Sequence, residues 1–309
     1  MKKVSLFLLF SLLTPFFGCL LGLNPKIANA QANRNFMVSP PTLKFSLKPG
    51  EKTEKRIKIT NLSAERLDFA VNTEDFIVTN KEGTPELLPP GTLPKNRYAA
   101  SSWSTALPDA FSLEGGKSTT VTLYLQVPSN ASPGGRYFAV AIKPLGNAET
   151  GLGAAVNTVI GTLVYLTVEG PVTEKAQVVN FTAPRFSEFG PIEFLVEIRN
   201  LGDIHLAPQA TVEVKNLFGR KVHSFALDNL NIFPGTARIY QNSWERKWLL
   251  GPYVAKLTGS GGKNNPLLAQ TTFWVIPYRL IISVLLALVI IILGLLYLKR
   301  RFRPQIIQE

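Results

Sequence analysis

Cysteine and histidine are scarce in this chain of 309 residues, which has one cysteine, Cys19, and two histidines. Cys19 lies in an N-terminal apolar run, so the sequence after it has no thiol for a disulfide or a nucleophile. His205 and His223 belong to no HxxH or HxH pattern. A metal site of Asp203, His205 and His223 is conceivable, but no ligand spacing supports it. The sequence therefore predicts no metal or cofactor, and a fold whose stability comes from its core.

Motifs of common hydrolases and nucleotide-binding enzymes are also missing from the sequence. It contains no Gly-x-Ser-x-Gly and no Walker-type loop. Acidic residues such as Glu74, Asp75 and Glu82 could form a hydrolase pair, but carboxylates scattered along sandwich strands are usually solvated. We therefore predict that the protein is not an enzyme, with a cell-wall hydrolase as the least favoured alternative.

Taken alone, the net charge of +12 suggests a nucleic-acid partner, but the positions of the charged residues argue against one. More than half of the excess lies in the N-terminal segment and around the C-terminal apolar run. The remaining basic residues are spread among acidic ones and form no stripe. Because nucleic-acid binding needs a clustered basic surface, the sequence predicts no nucleic-acid partner.

The N-terminus has the pattern of a secretory signal peptide. Met1-Lys2-Lys3 precedes an apolar run from residue 4 to 23, and Ala28-Asn29-Ala30 provides small residues for cleavage. We predict a signal peptide over 1–30, with a second possible cut after Ala32. An uncleaved anchor is the alternative, because the apolar run is long for a signal.

Near the C-terminus, residues 280–298 are almost wholly apolar. As a helix they extend roughly 28 Å, close to the hydrocarbon thickness of a bilayer. The residues predicted to flank the membrane are Trp274, Tyr278, Arg279, Tyr297, Lys299, Arg300, Arg301 and Arg303. The basic cluster after the run predicts a transmembrane helix over 279–298, a cytoplasmic tail over 299–309, and an ectodomain outside the cell membrane. This is the layout of a single-pass type I protein that contacts the lipid bilayer.

Between the two ends, short alternating runs predict β-strands. Lys55–Asn61 and Ser118–Val127 each place apolar residues at every second position, and Gly-rich turns separate such runs. The pattern then restarts, since Pro191–Asp203 repeats a strand that ends in Asn-Leu and a small residue. We therefore predict two tandem immunoglobulin-like β-sandwiches, over 31–172 and 173–276, in an all-β ectodomain.

The layout resembles that of the WxL-interacting proteins of Gram-positive cell surfaces, and short motifs carry the resemblance. In the first domain they are Val38-Ser39-Pro40-Pro41, Leu47-Lys48-Pro49-Gly50, Asn61-Leu62, Trp103 before Phe111-Ser112-Leu113, and Val127-Pro128 with Pro133-Gly134-Gly135-Arg136-Tyr137. In the second they are Arg199-Asn200-Leu201-Gly202-Asp203-Ile204-His205 and Val212-Glu213-Val214-Lys215-Asn216-Leu217-Phe218-Gly219-Arg220. Leu113-Glu114-Gly115-Gly116 departs from the family's usual Leu-x-Pro-Gly turn.

This resemblance implies a peptidoglycan-binding first domain, a second domain for WxL-type surface proteins, and a bacterial envelope. The leading hypothesis is a membrane-anchored binding or scaffold protein of the cell surface that engages cell-wall polymer, partner proteins or both. The alternative is a structural component of an envelope assembly that binds no glycan.

The candidate ligand site lies in the Pro-rich stretch from residue 79 to 102, which is too long for a simple strand connection. Lys95, Arg97 and Tyr98 could offer donors and an aromatic face to an anionic glycan or a peptide carboxylate. Trp103 is a further candidate for carbohydrate stacking, although packing beneath the sandwich is the more typical place for a large aromatic.

Overall fold

The computed structural model describes residues 35–88, 97–145 and 159–301. The predicted signal peptide, Lys95, Arg303 and the rest of the tail from residue 302 lie outside these ranges. The described strands are β1 Phe36–Ser39, β2 Thr42–Leu47, β3 Lys52–Asn61, β4 Leu67–Ile77, β5 Glu86–Leu87, β6 Ser104–Leu107, β7 Ala110–Leu113, β8 Ser118–Gln126, β9 Gly134–Leu145, β10 Ile160–Val168, β11 Ala176–Thr182, β12 Phe186–Ser187, β13 Ile192–Asn200, β14 Gln209–Asn216, β15 Lys221–Ala226, β16 Ala237–Trp244, β17 Gly251–Ser260 and β18 Pro266–Val275. A short 3-10 helix, Ser101–Trp103, precedes β6, and helix α1, Tyr278–Arg301, follows the last strand.

Strands β1 to β10 form the first sandwich. One sheet has the order β1-β3-β8-β6, and the other has the order β2-β10-β9-β4-β5, with β7 also paired to β4. Neighbouring strands are antiparallel except β2, which runs parallel to β10. The alternation read from the sequence places Ile57 and Ile59 of β3 beside Val121 and Leu123 of β8, and all four are fully buried between the sheets.

Strands β11 to β18 form the second sandwich, with sheets of order β11-β13-β16 and β12-β18-β17-β14-β15. Its core is separate and includes Phe194, Val212, Leu257 and Phe273. The prediction of two tandem immunoglobulin-like sandwiches followed by one apolar helix is confirmed. The predicted boundary at residue 172 lies in the segment between the end of β10 and the start of β11.

A buried asparagine organises the same turn in each sandwich. Asn61 donates from Nδ2 to the carbonyls of Glu65, at 2.7 Å, and Leu113, at 2.9 Å. Asn200 donates in the same way to the carbonyls of Ile204 and Ile232, both at 2.8 Å. Each Oδ1 also accepts the backbone N–H two residues ahead. The repeat seen in the sequence is therefore a repeat of structure, and we name these segments the Asn61 turn (61–66) and the Asn200 turn (200–205).

Helix α1 has the length and composition of a membrane span. Its segment Tyr278–Leu298 has 21 residues, is strongly apolar and has no part buried inside the protein. A helix with no buried face does not belong to the core of a sandwich. The predicted span over 279–298 is thus a helix apolar enough to cross a bilayer, and the helix continues through Lys299, Arg300 and Arg301.

Candidate binding surface and interdomain junction

The predicted loop residues Arg97 and Tyr98 lie where the two sandwiches meet. Arg97 forms an ion pair with Asp203 of the Asn200 turn. The Tyr98 ring packs near the Tyr137 ring, with 6.2 Å between the centroids. The Tyr98 carbonyl also accepts the Tyr137 backbone N–H at 2.7 Å. Arg97 therefore joins the sandwiches and Tyr98 supports the ring that docks them, whereas their binding of a ligand stays a prediction.

Asp203 of the second sandwich makes the polar contacts with the first sandwich at this edge of the junction. Its carbonyl accepts the Gly135 N–H at 2.9 Å, and its carboxylate accepts the Thr173 N–H at 3.0 Å. The Thr173 N–H and then the Arg97 guanidinium lower the pKa of the Asp203 carboxyl. A side chain at position 135 would collide with the Tyr137 hydroxyl, so glycine is needed at this close approach.

Aromatic rings fill the middle of the junction. Phe233 of the second sandwich lies edge-on to Tyr137, with centroids 4.9 Å apart, and edge-on to Tyr165 at 5.5 Å. The Tyr137 hydroxyl accepts the His205 backbone N–H at 2.6 Å and lies 3.3 Å from His205 Nδ1. The rings of Tyr137, Tyr165 and Phe233, together with Phe76, form a small core of their own between the sandwiches.

The same burial shifts the proton equilibria of the junction. Burial, with a smaller effect from Lys44, lowers the pKa of His205 to about 4. Burial also raises the pKa of Tyr137. At neutral pH both groups are therefore uncharged. The junction is held by ring packing and hydrogen bonds, together with the ion pairs of Arg97 with Asp203 and of Lys81 with Glu197.

Trp103, the fourth predicted ligand residue, is half-buried at the edge of the first sandwich. One side of it packs against the core, and the buried Arg136 guanidinium lies over its ring, 5.4 Å from the centroid. Both interpretations of Trp103 are therefore partly met, because the ring is anchored by packing and still reaches the surface.

Trp103 lines an open groove of about 540 Å³ on the outer face of the sheet β1-β3-β8-β6. Tyr124 and Gln126 of β8 point outward on either side of the buried Leu125, and Tyr124 is 45% exposed. Lys52 pairs with Gln126 across one side, and Thr105 pairs with Tyr124 across the other. We call the surface of Lys52, Trp103, Thr105, Tyr124 and Gln126 the shelf.

The shelf combines two aromatic rings with polar side chains on a sheet face. Aromatic faces pack against apolar C–H surfaces, and the neighbouring amine, hydroxyl and amide groups can donate or accept hydrogen bonds. The sequence pattern predicts Trp103 as a candidate but does not single out Tyr124 or Lys52. The signal was present, since Tyr124 occupies an outward position in an alternating strand where a polar residue is typical.

The acidic residues considered for catalysis differ in their surroundings. Glu74 is buried and forms an ion pair with Lys143 at 2.5 Å. Asp75 is half-buried and accepts the backbone N–H groups of Ala100 and Ser101 at 2.8 and 2.9 Å. The expectation that these carboxylates are solvated is wrong for both. Glu74 pairs with the ammonium group of Lys143 inside the fold, and Asp75 accepts backbone hydrogen bonds there. The expectation holds for Glu82, which is exposed.

The two histidines also have different surroundings. His205 lies in the junction, whereas His223 of β15 stacks on Trp244, with 5.2 Å between the ring centroids. Within the described ranges, no three His, Cys, Asp or Glu side chains are grouped so that they could hold a metal ion.

Comparison with known proteins shows likeness in structure only. No family model matches the sequence, and no curated protein matches it. The class 5 fimbriae chaperone CfaA is similar over 77% of this chain and 99% of its own, at 14% identity and a TM-score of 0.38. The CupB2 chaperone of Pseudomonas aeruginosa is similar over 77% and 100%, at 9% identity and a TM-score of 0.38. PapD-like domain 7 of human CEP192 covers 44% of this chain and 87% of its own, at 11% identity and a TM-score of 0.30.

Proposed function

We propose that this protein is a non-enzymatic binding and scaffold protein of a bacterial cell surface, anchored by α1 and engaging cell-wall glycan through the shelf. The observation that carries this proposal is the pairing of Trp103 and Tyr124 on one exposed sheet face. Lys52 adds a positive charge at the edge of that face, which suits the carboxylates of peptidoglycan stem peptides. The resemblance to WxL-interacting proteins supports the same class of ligand and suggests a surface protein as a second partner.

The junction supports the scaffold part of the proposal. Two sandwiches that share a small core and two ion pairs move as one body more readily than two that a linker joins. The first sandwich is then carried at a fixed distance from the helix. In the proposed orientation, the ectodomain lies outside the membrane and the C-terminus lies in the cytoplasm.

The test is cosedimentation of the detergent-solubilised full chain with isolated cell-wall sacculi. We expect the wild type to sediment and Tyr124→Ser to remain largely in the supernatant, because Tyr124 is exposed and its removal leaves the core intact. Val179→Ser is the matched control, since it removes a similarly exposed apolar side chain from the second sandwich.

Sedimentation of Tyr124→Ser to the same extent as the wild type would contradict binding at the shelf. If the wild type does not sediment, glycan binding is wrong and the envelope-assembly alternative is favoured. Release of soluble fragments from the sacculi in the same assay would favour the hydrolase alternative.

A further inference from the structure

The end of the second sandwich beside the helix exposes several large apolar side chains. Three turns reach this end: β12–β13, β14–β15 and β16–β17. The pairing register shows this, because Ile192 pairs with Trp244, Asn216 with Tyr253, and Gly251 with Val275. Val275 closes the last strand before α1. All three turns therefore lie at the level where the chain leaves the sandwich and enters the helix.

The exposed side chains at this end are unusually large for a solvated surface. Phe218 is 88% exposed, Leu250 is 69% exposed and Trp248 is 60% exposed. Phe186, Leu217 and Trp274 are also exposed there. Exposed apolar side chains that cluster in this way mark an interaction surface in a soluble domain. We call these six residues the platform.

Phe218 is held at its exposed position by an ordered turn. The Asn216 side-chain oxygen accepts the N–H groups of Phe218 and Arg220, both at 3.1 Å. Gly219 has a φ of 71°, which closes the turn in the left-handed region. The ring is thus presented outward by a defined backbone.

Direct contacts connect the platform to the first turn of the helix. The Arg279 N–H donates to Glu188 Oε1 at 3.1 Å, and Arg279 Nε lies 3.5 Å from Glu188 Oε2. The Phe186 and Tyr278 rings are 6.1 Å apart, and the Phe189 and Trp248 rings are 5.3 Å apart. Strand β12 and the β12–β13 turn therefore link the start of α1 to the β16–β17 turn.

Basic residues accompany the apolar ones. Those exposed in or directly beside the same three turns are Arg220, Lys221, Arg246 and Lys247, and Arg185 lies exposed just before β12. The acidic residues of these turns are Glu188, which is paired with Arg279, and Glu245. Aromatic rings flanked by cations suit the boundary between acyl chains and anionic headgroups.

We infer that the platform lies on the surface of an anionic lipid bilayer and partly inserts its aromatic side chains among the headgroups. This inference rests on the proposed membrane anchoring by α1. With Tyr278 at the interface, side chains that contact its turn lie within the headgroup layer, which is roughly 5–8 Å thick on each side. The opposite end of the sandwich contacts the first sandwich through the Asn200 turn and Phe233. The two ends thus have different partners, a protein domain at one and a lipid surface at the other.

The test uses the full chain with Cys19→Ser, reconstituted into vesicles of phosphatidylcholine and phosphatidylglycerol that contain a lipid with a nitroxide quencher at its headgroup. An environment-sensitive fluorophore is attached at Phe218→Cys. A matched label at Lys263→Cys, in the exposed turn after β17, serves as the distant control, because β17 extends about 30 Å from the platform. We expect the label at 218 to lose most of its fluorescence and the label at 263 to lose none.

The two proposals fail in different ways. Release of the chain by alkaline carbonate would refute the membrane anchor and, with it, the platform. Retention of the chain with an unquenched label at 218 would refute the platform alone. A label at 218 that is shielded from water but unquenched by the nitroxide lipid would also refute it, in favour of a protein partner at this end.

Discussion

The two sandwiches use one turn for opposite purposes. The Asn61 and Asn200 turns have the same hydrogen bonds, yet the first faces solvent and the second docks onto its neighbour. Each asparagine amide donates to one carbonyl distant in the chain, that of Leu113 in the first sandwich and Ile232 in the second. The next residue is Glu114 in the first sandwich and Phe233 in the second. The amide also donates to a carbonyl four residues ahead. The residue after that carbonyl is Arg66 in the first sandwich and His205 in the second.

This exchange of two residues changes the role of the turn. Arg66 and Glu114 lie 3.7 Å apart as an exposed ion pair that keeps its end solvated. His205 and Phe233 instead meet the rings of Tyr137 and Tyr165. The shared asparagine frame fixes the backbone, and the residues beside it decide whether the turn is free or docked.

Removing the asparagines should have the largest effect. Each amide satisfies two carbonyls and one backbone N–H inside the fold, so we expect Asn61→Ala or Asn200→Ala to cost about 4 kcal/mol of unfolding free energy. Chemical denaturation of the full chain in detergent measures this. A change in unfolding free energy near zero at either site would show that the asparagines of the Asn61 and Asn200 turns are not equivalent.

Replacing the docking ring should have the next largest effect. Phe233→Glu gives the second sandwich the residue type that the first has at the equivalent position, Glu114. It places a charge among aromatic rings, at a cost of about 3 kcal/mol. We expect the single unfolding transition of the wild type to split into two. The reciprocal Glu114→Phe should leave the wild-type transition unsplit, and a split there would refute the comparison.

Acid should weaken the junction by a smaller amount. Because the folded pKa of His205, about 4, lies below the unfolded value, the unfolded chain binds the extra proton as the pH falls. The free energy of unfolding should therefore decrease by about 2 kcal/mol between pH 6.5 and pH 4. His205→Gln should remove this slope in a series of denaturation curves, and an unchanged slope would contradict the assignment. A His223→Gln control isolates the contribution of the other histidine, whose pKa burial also lowers.

The smallest effect is expected at the solvated turn. Arg66→Ala removes the exposed ion pair with Glu114 and should cost less than about 1 kcal/mol. Thermal unfolding at low and high salt measures this difference. A loss as large as that of Phe233→Glu would mean that the Asn61 turn is docked in solution as well.

Much of the fold could be predicted because its signals come from residues that are close together in the sequence. Alternation in β3 and β8, the Gly turns and the apolar run of α1 each act through neighbouring residues. The repeated Asn-Leu also pointed to the two equivalent turns. The junction could not be predicted in this way, since Arg97 and Asp203 are 106 residues apart in the chain.

The candidate site shows the same limit. The donors of Arg97 and the aromatic ring of Tyr98 predict ligand binding, but a docked second sandwich also uses these properties. The sequence singles out Trp103 alone, whereas its neighbours Lys52 and Tyr124 come from strands β3 and β8. Only strand register brings the three together.

Distance measurement between the sandwiches tests the central claim that the Asn200 turn, together with Phe233, docks them into one body. Spin labels at Lys117→Cys and Lys256→Cys, both at exposed positions, would be placed in the Cys19→Ser chain, with and without Phe233→Glu. Pulsed electron paramagnetic resonance should give one narrow distance for the first protein and a broad distribution for the variant. A broad distribution in both, or the same narrow distance in both, would contradict the claim.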